Sequence, residues 1–205
     1  MPYQGTTGPQ GSWEETYRKT PASELPWNSG MADGDLMDLV ASGKVPPGRA
    51  WDLGCGPGHD AAYLSQKGWN VTAVDISPTA LQLARDTARK AGMEEKITFL
   101  AADVLALPGP GDAVLVHDRG CFHTLPSDSW ETYHRTVSGL LGKGGILALK
   151  VFSSKMPSGR GPFRFTPEGV REVFGADFEL AEIKEGFFSG PYKPVSLFCV
   201  FVKRA

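Results

Sequence analysis

The sequence predicts an α/β fold: a doubly wound, mostly parallel sheet that ends in an antiparallel hairpin at one edge. Three observations predict it. From residue 49 onward, short apolar runs rich in β-branched residues alternate with amphipathic stretches, the pattern of a parallel sheet covered on both faces. The first run leads into a glycine turn, "WDLGCGPGHD" at residues 51–60, placed where such sheets hold a ligand. The last two runs, 178–188 and 195–203, are separated only by "SGPYKP". No helix fits between them, so they are expected to pair antiparallel.

The elements follow in order. Residues 1–10 are glycine, proline and polar residues, a tail expected to be mobile. A short helix is expected over 12–19 and another over 34–43, with Leu36, Met37 and Val40 on one face. "VPPGR" breaks the chain before a strand at 49–54. Helix 58–67, strand 70–76, helix 78–92 and strand 97–102 come next. They are followed by strand 112–118, helix 127–141, strand 145–152 and helix 166–174 before the hairpin. The 205 residues suit a single domain with a sizeable core. Residues 1–44 are expected to form a helical segment covering its site.

Composition narrows the function classes. A net charge of −2 gives no basic footprint, so neither nucleic acid nor an anionic membrane is an expected partner. Cys55, Cys121 and Cys199 have no paired spacing, which argues against a disulfide framework and for a reducing, cytoplasmic setting. The first twenty residues lack the apolar core of a signal peptide, and "VSLFCVFV" near the C-terminus is too short to span a bilayer. A monomer or weak dimer acting on a small molecule, with no metal site, is expected.

The glycine turn then decides among nucleotides. A dinucleotide fingerprint needs G-x-G-x-x-G. Here Gly54, Gly56 and Gly58 are spaced differently and His59 takes the third glycine's place. A phosphate loop needs a following Lys-Ser/Thr, which is absent. S-adenosylmethionine fits better, because it carries no phosphate but does carry an ammonium and a sulfonium. Asp52 can face the ammonium, and the three glycines permit close approach. Asp75, at the end of the second strand, can accept from the ribose hydroxyls, and Asp103, ending "FLAAD", from the adenine amino group. Ile76 and Val104 adjoin these acids. His59 and Asp60 at the helix start are read as capping and dipole partners.

Together these residues resemble the class I S-adenosylmethionine-dependent methyltransferases, and "DLGCGPGHD…VDIS" carries the resemblance most specifically. It implies a seven-stranded sheet. The stretch "VHDRGCFHTLP" at 116–126, together with "SELPW" ending at Trp27 and "GRGPFRFTPEGVREVFG" at 159–175, resembles the thiopurine S-methyltransferase and related thiol methyltransferase group. A mild departure is Phe163, which stands where that group often has proline. The resemblance implies that Trp27 covers the cofactor, Asp118 sits beside it and Arg119 faces the acceptor. An arginine stays charged and offers a fork of donors, so Arg119 can hold a thiolate; the alternative is a structural pair with Asp118 or Asp128. Asp118 and His123 are the candidate bases, although His123 can equally be a cap. Cys121 is read as a packing residue, since methyl transfer is a direct displacement. Trp13, Tyr17, Phe163 and Tyr192 are expected around the acceptor, though the N-terminal aromatics can also serve only as anchors. The expected activity is methyl transfer to the sulfur of an aromatic or heterocyclic thiol. Nitrogen or oxygen of a quinolone-like heterocycle is the alternative acceptor, and a non-catalytic S-adenosylmethionine-binding protein is the alternative of another class.

Overall fold

The computed structural model describes residues 3–4, 12–157, 161–190 and 192–204. Its strands are β1 (Tyr3–Gln4), β2 (Arg49–Leu53), β3 (Asn70–Asp75), β4 (Ile97–Ala101), β5 (Ala113–Arg119), β6 (Leu141–Ser153), β7 (Arg164–Phe165), β8 (Phe178–Phe187) and β9 (Val195–Lys203). The seven long strands lie in the order β4-β3-β2-β5-β6-β9-β8. Strands β2 to β6 are parallel, and β9 runs antiparallel to both β6 and β8. This is the expected sheet with its C-terminal hairpin edge. The two-residue strands are an addition: β7 pairs with the end of β6, and β1 pairs antiparallel with β7. Apart from Tyr3–Gln4, the tail expected to be mobile lies outside the described residues, as do Gly159 and Arg160.

Helices cover both faces. Neighbouring strand residues such as Ala50 and Trp51, Leu115 and Val116, or Phe198 and Cys199 are all buried, one of each pair on either side. That double burial is why the central strands read as unbroken apolar runs. On one face pack α2 (Gly34–Ala41), α3 (His59–Gln66) and α4 (Pro78–Lys90), through Leu36, Leu39, Leu64 and Ala88. On the other pack α5 (Trp130–Leu140) and α6 (Pro167–Phe174), through Tyr133, Val137, Val170 and Phe174. The first helix, α1 (Trp13–Lys19), stands apart from both core clusters and meets the start of α4.

Two expectations shift. Helix α2 buries Leu36 and Leu39, with Met37 and Val40 only half-buried. Strand β6 begins at Leu141 rather than at 145, because Leu141 already pairs with Ala113 and the ladder resumes at Leu115–Ile146 across a bulge. The chain runs outward from β2 to β3 and β4 on one side, while β5 and β6 lie on the other. The crevice at the carboxyl ends of β2 and β5 is the place where such sheets bind ligands.

Candidate active site

A cavity of about 700 Å³ opens there. One side is lined by the glycine turn with Asp52, Asp75, Ile76, Asp103 and Val104. Asp52 is 2% exposed, and its Oδ2 has no hydrogen-bond partner among the described residues. Burial pushes its pKa up to about 7. A buried carboxylate oxygen of this kind fits an ammonium group. Asp75 accepts from the backbone N–H of Gly56 through Oδ2 and of Ser77 through Oδ1, each at 2.9 Å. Each oxygen retains a further lone pair that can accept from a hydroxyl. Asp103, which lines the cavity, accepts from Leu105 N at 2.9 Å through Oδ1. Ile76 is 54% exposed, an apolar face that a base can cover.

Gly54, Gly56 and Gly58 have φ of 65°, 50° and 77°, a region that favours glycine. A Cβ on Gly54 would lie 2.6 Å from Cβ of Cys121, and one on Gly58 2.8 Å from Cα of Ala84 in α4. These two glycines therefore also serve the chain's own packing, while all three line the cavity. A Cβ on Gly56 would meet the Tyr17 hydroxyl at 2.8 Å. Tyr17 is buried and accepts from Trp27 Nε1 at 3.0 Å, while Trp13 meets Trp27 edge-on at 5.6 Å. The Glu14 carboxylate fastens α1 to the start of α4, accepting from the hydroxyls of Ser77 and Thr79 at 2.7 Å each. Those donors hold its pKa below the usual range.

On the other side of the cavity stand Arg119, His123, Phe152, Met156 and Phe188, with the exposed Tyr192 at the mouth. Arg119 donates from Nε to Asp33 at 3.0 Å and from its Nη atoms to the carbonyls of Trp27 and Ser189 at 3.1 and 3.3 Å. Its ion-pair partner is thus Asp33, not Asp118 or Asp128. Three further expectations are overturned. Asp118 does not line the cavity; it is fully buried and accepts from Cys121 N, Phe122 N and the Tyr133 hydroxyl. It pins the loop after β5 and is placed neither as a base nor beside a cofactor. Phe163 packs edge-on against Trp130 at 5.1 Å, while Gly161 and Pro162 line the cavity in its stead. His123 is not poised as a base, because its Nδ1 accepts from Phe152 N at 3.0 Å. Burial, with the charges of Arg119 and Arg164, pushes its pKa down to about 3. The neutral ring then carries its proton on Nε2 and can only donate from there. Cys121 matches its packing role, since burial holds its thiol well above the usual range.

A buried charge network was not anticipated. Asp33 N donates to Asp60 Oδ1 at 2.7 Å, and His117 Nε2 lies 3.3 Å from Asp60 Oδ2. Asp60 stands in the first turn of α3, as a helix-dipole partner should, and is a network member as well. His59 contacts Asn28 Oδ1 at 2.9 Å. Burial alone would lower the pKa of His117, but the Asp60 hydrogen bond and charge, aided by Asp52 and Asp33, raise it to about 9. Lys150, 1% exposed, contacts both oxygens of Asp33. A signal for it existed: a lysine inside "GILALKVF" must be buried and paired.

The sheet, its switch-point cavity and the acids at three successive strand ends define a class I S-adenosylmethionine-dependent methyltransferase, with S-adenosylmethionine as cofactor. The thiopurine S-methyltransferase family model matches residues 9–191, and the chain belongs to that family. It is 29% identical to the 2-heptyl-1-hydroxyquinolin-4(1H)-one methyltransferase of Mycobacteroides abscessus, over 85% of this chain and 79% of the relative. It is 26% identical to probable thiol methyltransferase 2 of Arabidopsis thaliana, over 86% and 74% of the two chains. In fold it resembles the solved 1,6-didemethyltoxoflavin-N1-methyltransferase of Burkholderia thailandensis, with a TM-score of 0.71 and 23% identity over 99% of this chain and 95% of that one. Among the described residues no helix is long and apolar enough to cross a membrane. The enzyme methylates a small molecule.

Proposed function

We propose that the enzyme methylates the sulfur of a small, acidic aromatic or heterocyclic thiol that reacts as its anion beside Arg119. The observation that carries this reading is the chemistry of the acceptor side. Among the polar groups lining it are a cation, Arg119, and the neutral N–H donor of His123, set beside Phe152, Met156 and Phe188, with Thr124, Ser189, His59 and Asp60 also on the cavity wall. The two candidate bases are both spent elsewhere, Asp118 on the loop and the Nδ1 of His123 on Phe152 N. An acceptor that is already ionised needs no base.

S-adenosylmethionine supplies the electrophilic methyl group on its sulfonium sulfur. Asp52 binds its ammonium, Asp75 its ribose and Asp103 its adenine, while Ile76 and Val104 flank the base. Arg119 offers charge and donors to the acceptor anion. The segment over residues 12–44 acts as a cover through Trp13, Tyr17 and Trp27, which exclude water and offer π faces to a cation. The excluded water matters because attack of an anion on a sulfonium extinguishes both charges, and a site of low polarity favours that loss.

A second reading, methylation of a hydroxyl oxygen on a quinolone-like heterocycle, is favoured by the Mycobacteroides relative. Both readings share the anionic acceptor. The test is a methyl-labelled cofactor with a series of aromatic thiols and N-hydroxy heterocycles of graded acidity, with amines and aliphatic thiols alongside. Rates at fixed pH should follow the ionised fraction, and the faster series identifies sulfur or oxygen. A preference for neutral amines would overturn both.

A further inference from the structure

A line of alternating charges runs from the surface to the acceptor side of the cavity. Lys184 Nζ contacts Asp35 at 2.8 Å, and Asp35 accepts from Lys150 Nζ at 2.7 Å. Lys150 also donates to Asp33 at 2.8 and 3.0 Å, and Asp33 accepts from Arg119 Nε at 3.0 Å. Of this line only Arg119 lines the cavity. Asp33 is fully buried and fixed from further directions: its Oδ1 caps α2 by accepting from Asp35 N, and its own N–H goes to Asp60. A carboxylate held so firmly can fix the fork that it binds. The charges also matter. Lys150 draws on both Asp33 and Asp35, so the Asp33 carboxylate is shared between two cations and is not spent on Arg119 alone. The other charges facing this line are Asp38, 3.4 Å from Lys184, and Asp60, which accepts from Asp33 N and is itself paired with His117 at 3.3 Å.

We propose that Asp33 is a positioning residue for methyl transfer. Through Arg119 it aims the guanidinium at the anionic acceptor, and Lys150 keeps that guanidinium from being neutralised. The inference rests on the acceptor reading above.

A double-mutant cycle of Asp33→Asn and Arg119→Met in the full chain tests it, using the best acidic thiol or N-hydroxy heterocycle of the graded series. Asp33→Asn puts an amide donor against two cations. It should lower kcat/KM about 10- to 100-fold in the wild-type background, as displacing an aligning group does. In the Arg119→Met background it should change kcat/KM by less than about twofold, because the shared interaction is already gone. Cofactor affinity by calorimetry should stay near the wild-type value in both. Equal losses in the two backgrounds, or no loss from a folded Asp33→Asn, would overturn the inference. Should Asp33→Asn not fold, Lys150→Met decides. It leaves Asp33 to neutralise Arg119, so the pH–rate profile with a weakly acidic thiol should move up by about 0.5–1 unit, and an unmoved profile would overturn the inference. A wild-type enzyme that turns over no ionisable acceptor would instead remove the acceptor reading, and this inference with it.

Discussion

Asp52 holds a carboxyl group in a buried place, and that sets a pH dependence for cofactor binding. Its pKa of about 7 lies above the ordinary 3.8, so the side chain becomes neutral as pH falls below about 7. A cationic cofactor gains from the carboxylate only above that point. Affinity for S-adenosylmethionine should therefore fall as pH is lowered from about 8 to about 6. Asp52→Asn should remove this dependence and about 1.5–3 kcal/mol of binding, the range for a hydrogen bond to a charged group. Calorimetry across the range checks both, and a flat wild-type profile would take Asp52 out of the ammonium role. His123 gives the complementary expectation. With its pKa pushed down to about 3, no enzyme-borne limb near pH 6.5 should appear in kcat. A limb there that vanished in His123→Phe would restore it as the base. That Asp52, Asp75 and Asp103 line the cavity was legible in the sequence, because the carboxyl ends of neighbouring parallel strands meet there in this fold. Asp118 was not, since neighbouring strand residues point to opposite faces: Arg119 reaches the cavity while Asp118 enters the core. Asp33 was hidden because an aspartate before a helix reads first as a cap, and it is one, with the cations of Lys150 and Arg119 besides.

Among the elements, the glycine turn is the most constrained. Gly58 combines a φ of 77° with Ala84 pressed against the site of a Cβ. Gly58→Ala should destabilise the fold by about 1–3 kcal/mol or more, through overpacking and backbone strain. Adding Ala84→Gly should restore at most part of that loss, because it removes the Cβ at 2.6 Å but leaves the backbone Cα at 2.8 Å and the strain. Denaturant unfolding of the three variants measures it, and full recovery would assign the whole effect to packing. The long strands and the hairpin were legible because apolar runs and their separations determine them. The start of β6 was not, because Gly142, Gly144 and Gly145 read as a loop yet form a bulge that leaves Leu141 paired to Ala113. Strands β1 and β7 were equally hidden, since two-residue pairings depend on partners far away in the chain.

At the scale of the molecule, buried charge governs stability toward alkaline pH. The pKa of His117 is about 9 in the folded chain against an ordinary 6.5. The raised value means that the stabilisation is full below about pH 6.5 and is lost as pH rises through 9, by at most about 3 kcal/mol. Asp52, with a pKa of about 7, is still ionising at the start of that range and adds to the early part of the decline. The denaturant midpoint should therefore fall between about pH 7 and pH 9, and His117→Gln should flatten that decline; an unchanged slope would mean that His117 is not charged in the fold. The fastening of α1 to α4 through Glu14, with the Tyr17 hydroxyl over Gly56, tells in time rather than in energy. Under the cover role proposed for α1, the spent nucleoside is expected to leave only once α1 lifts. Enzyme preloaded with S-adenosylmethionine and mixed with excess acceptor should release a rapid burst of about one methyl per chain, then settle to a slower rate set by exchange. Glu14→Ala should quicken the slow phase and shrink the burst, whereas a trace linear from its first turnover would put the slow step in the chemistry.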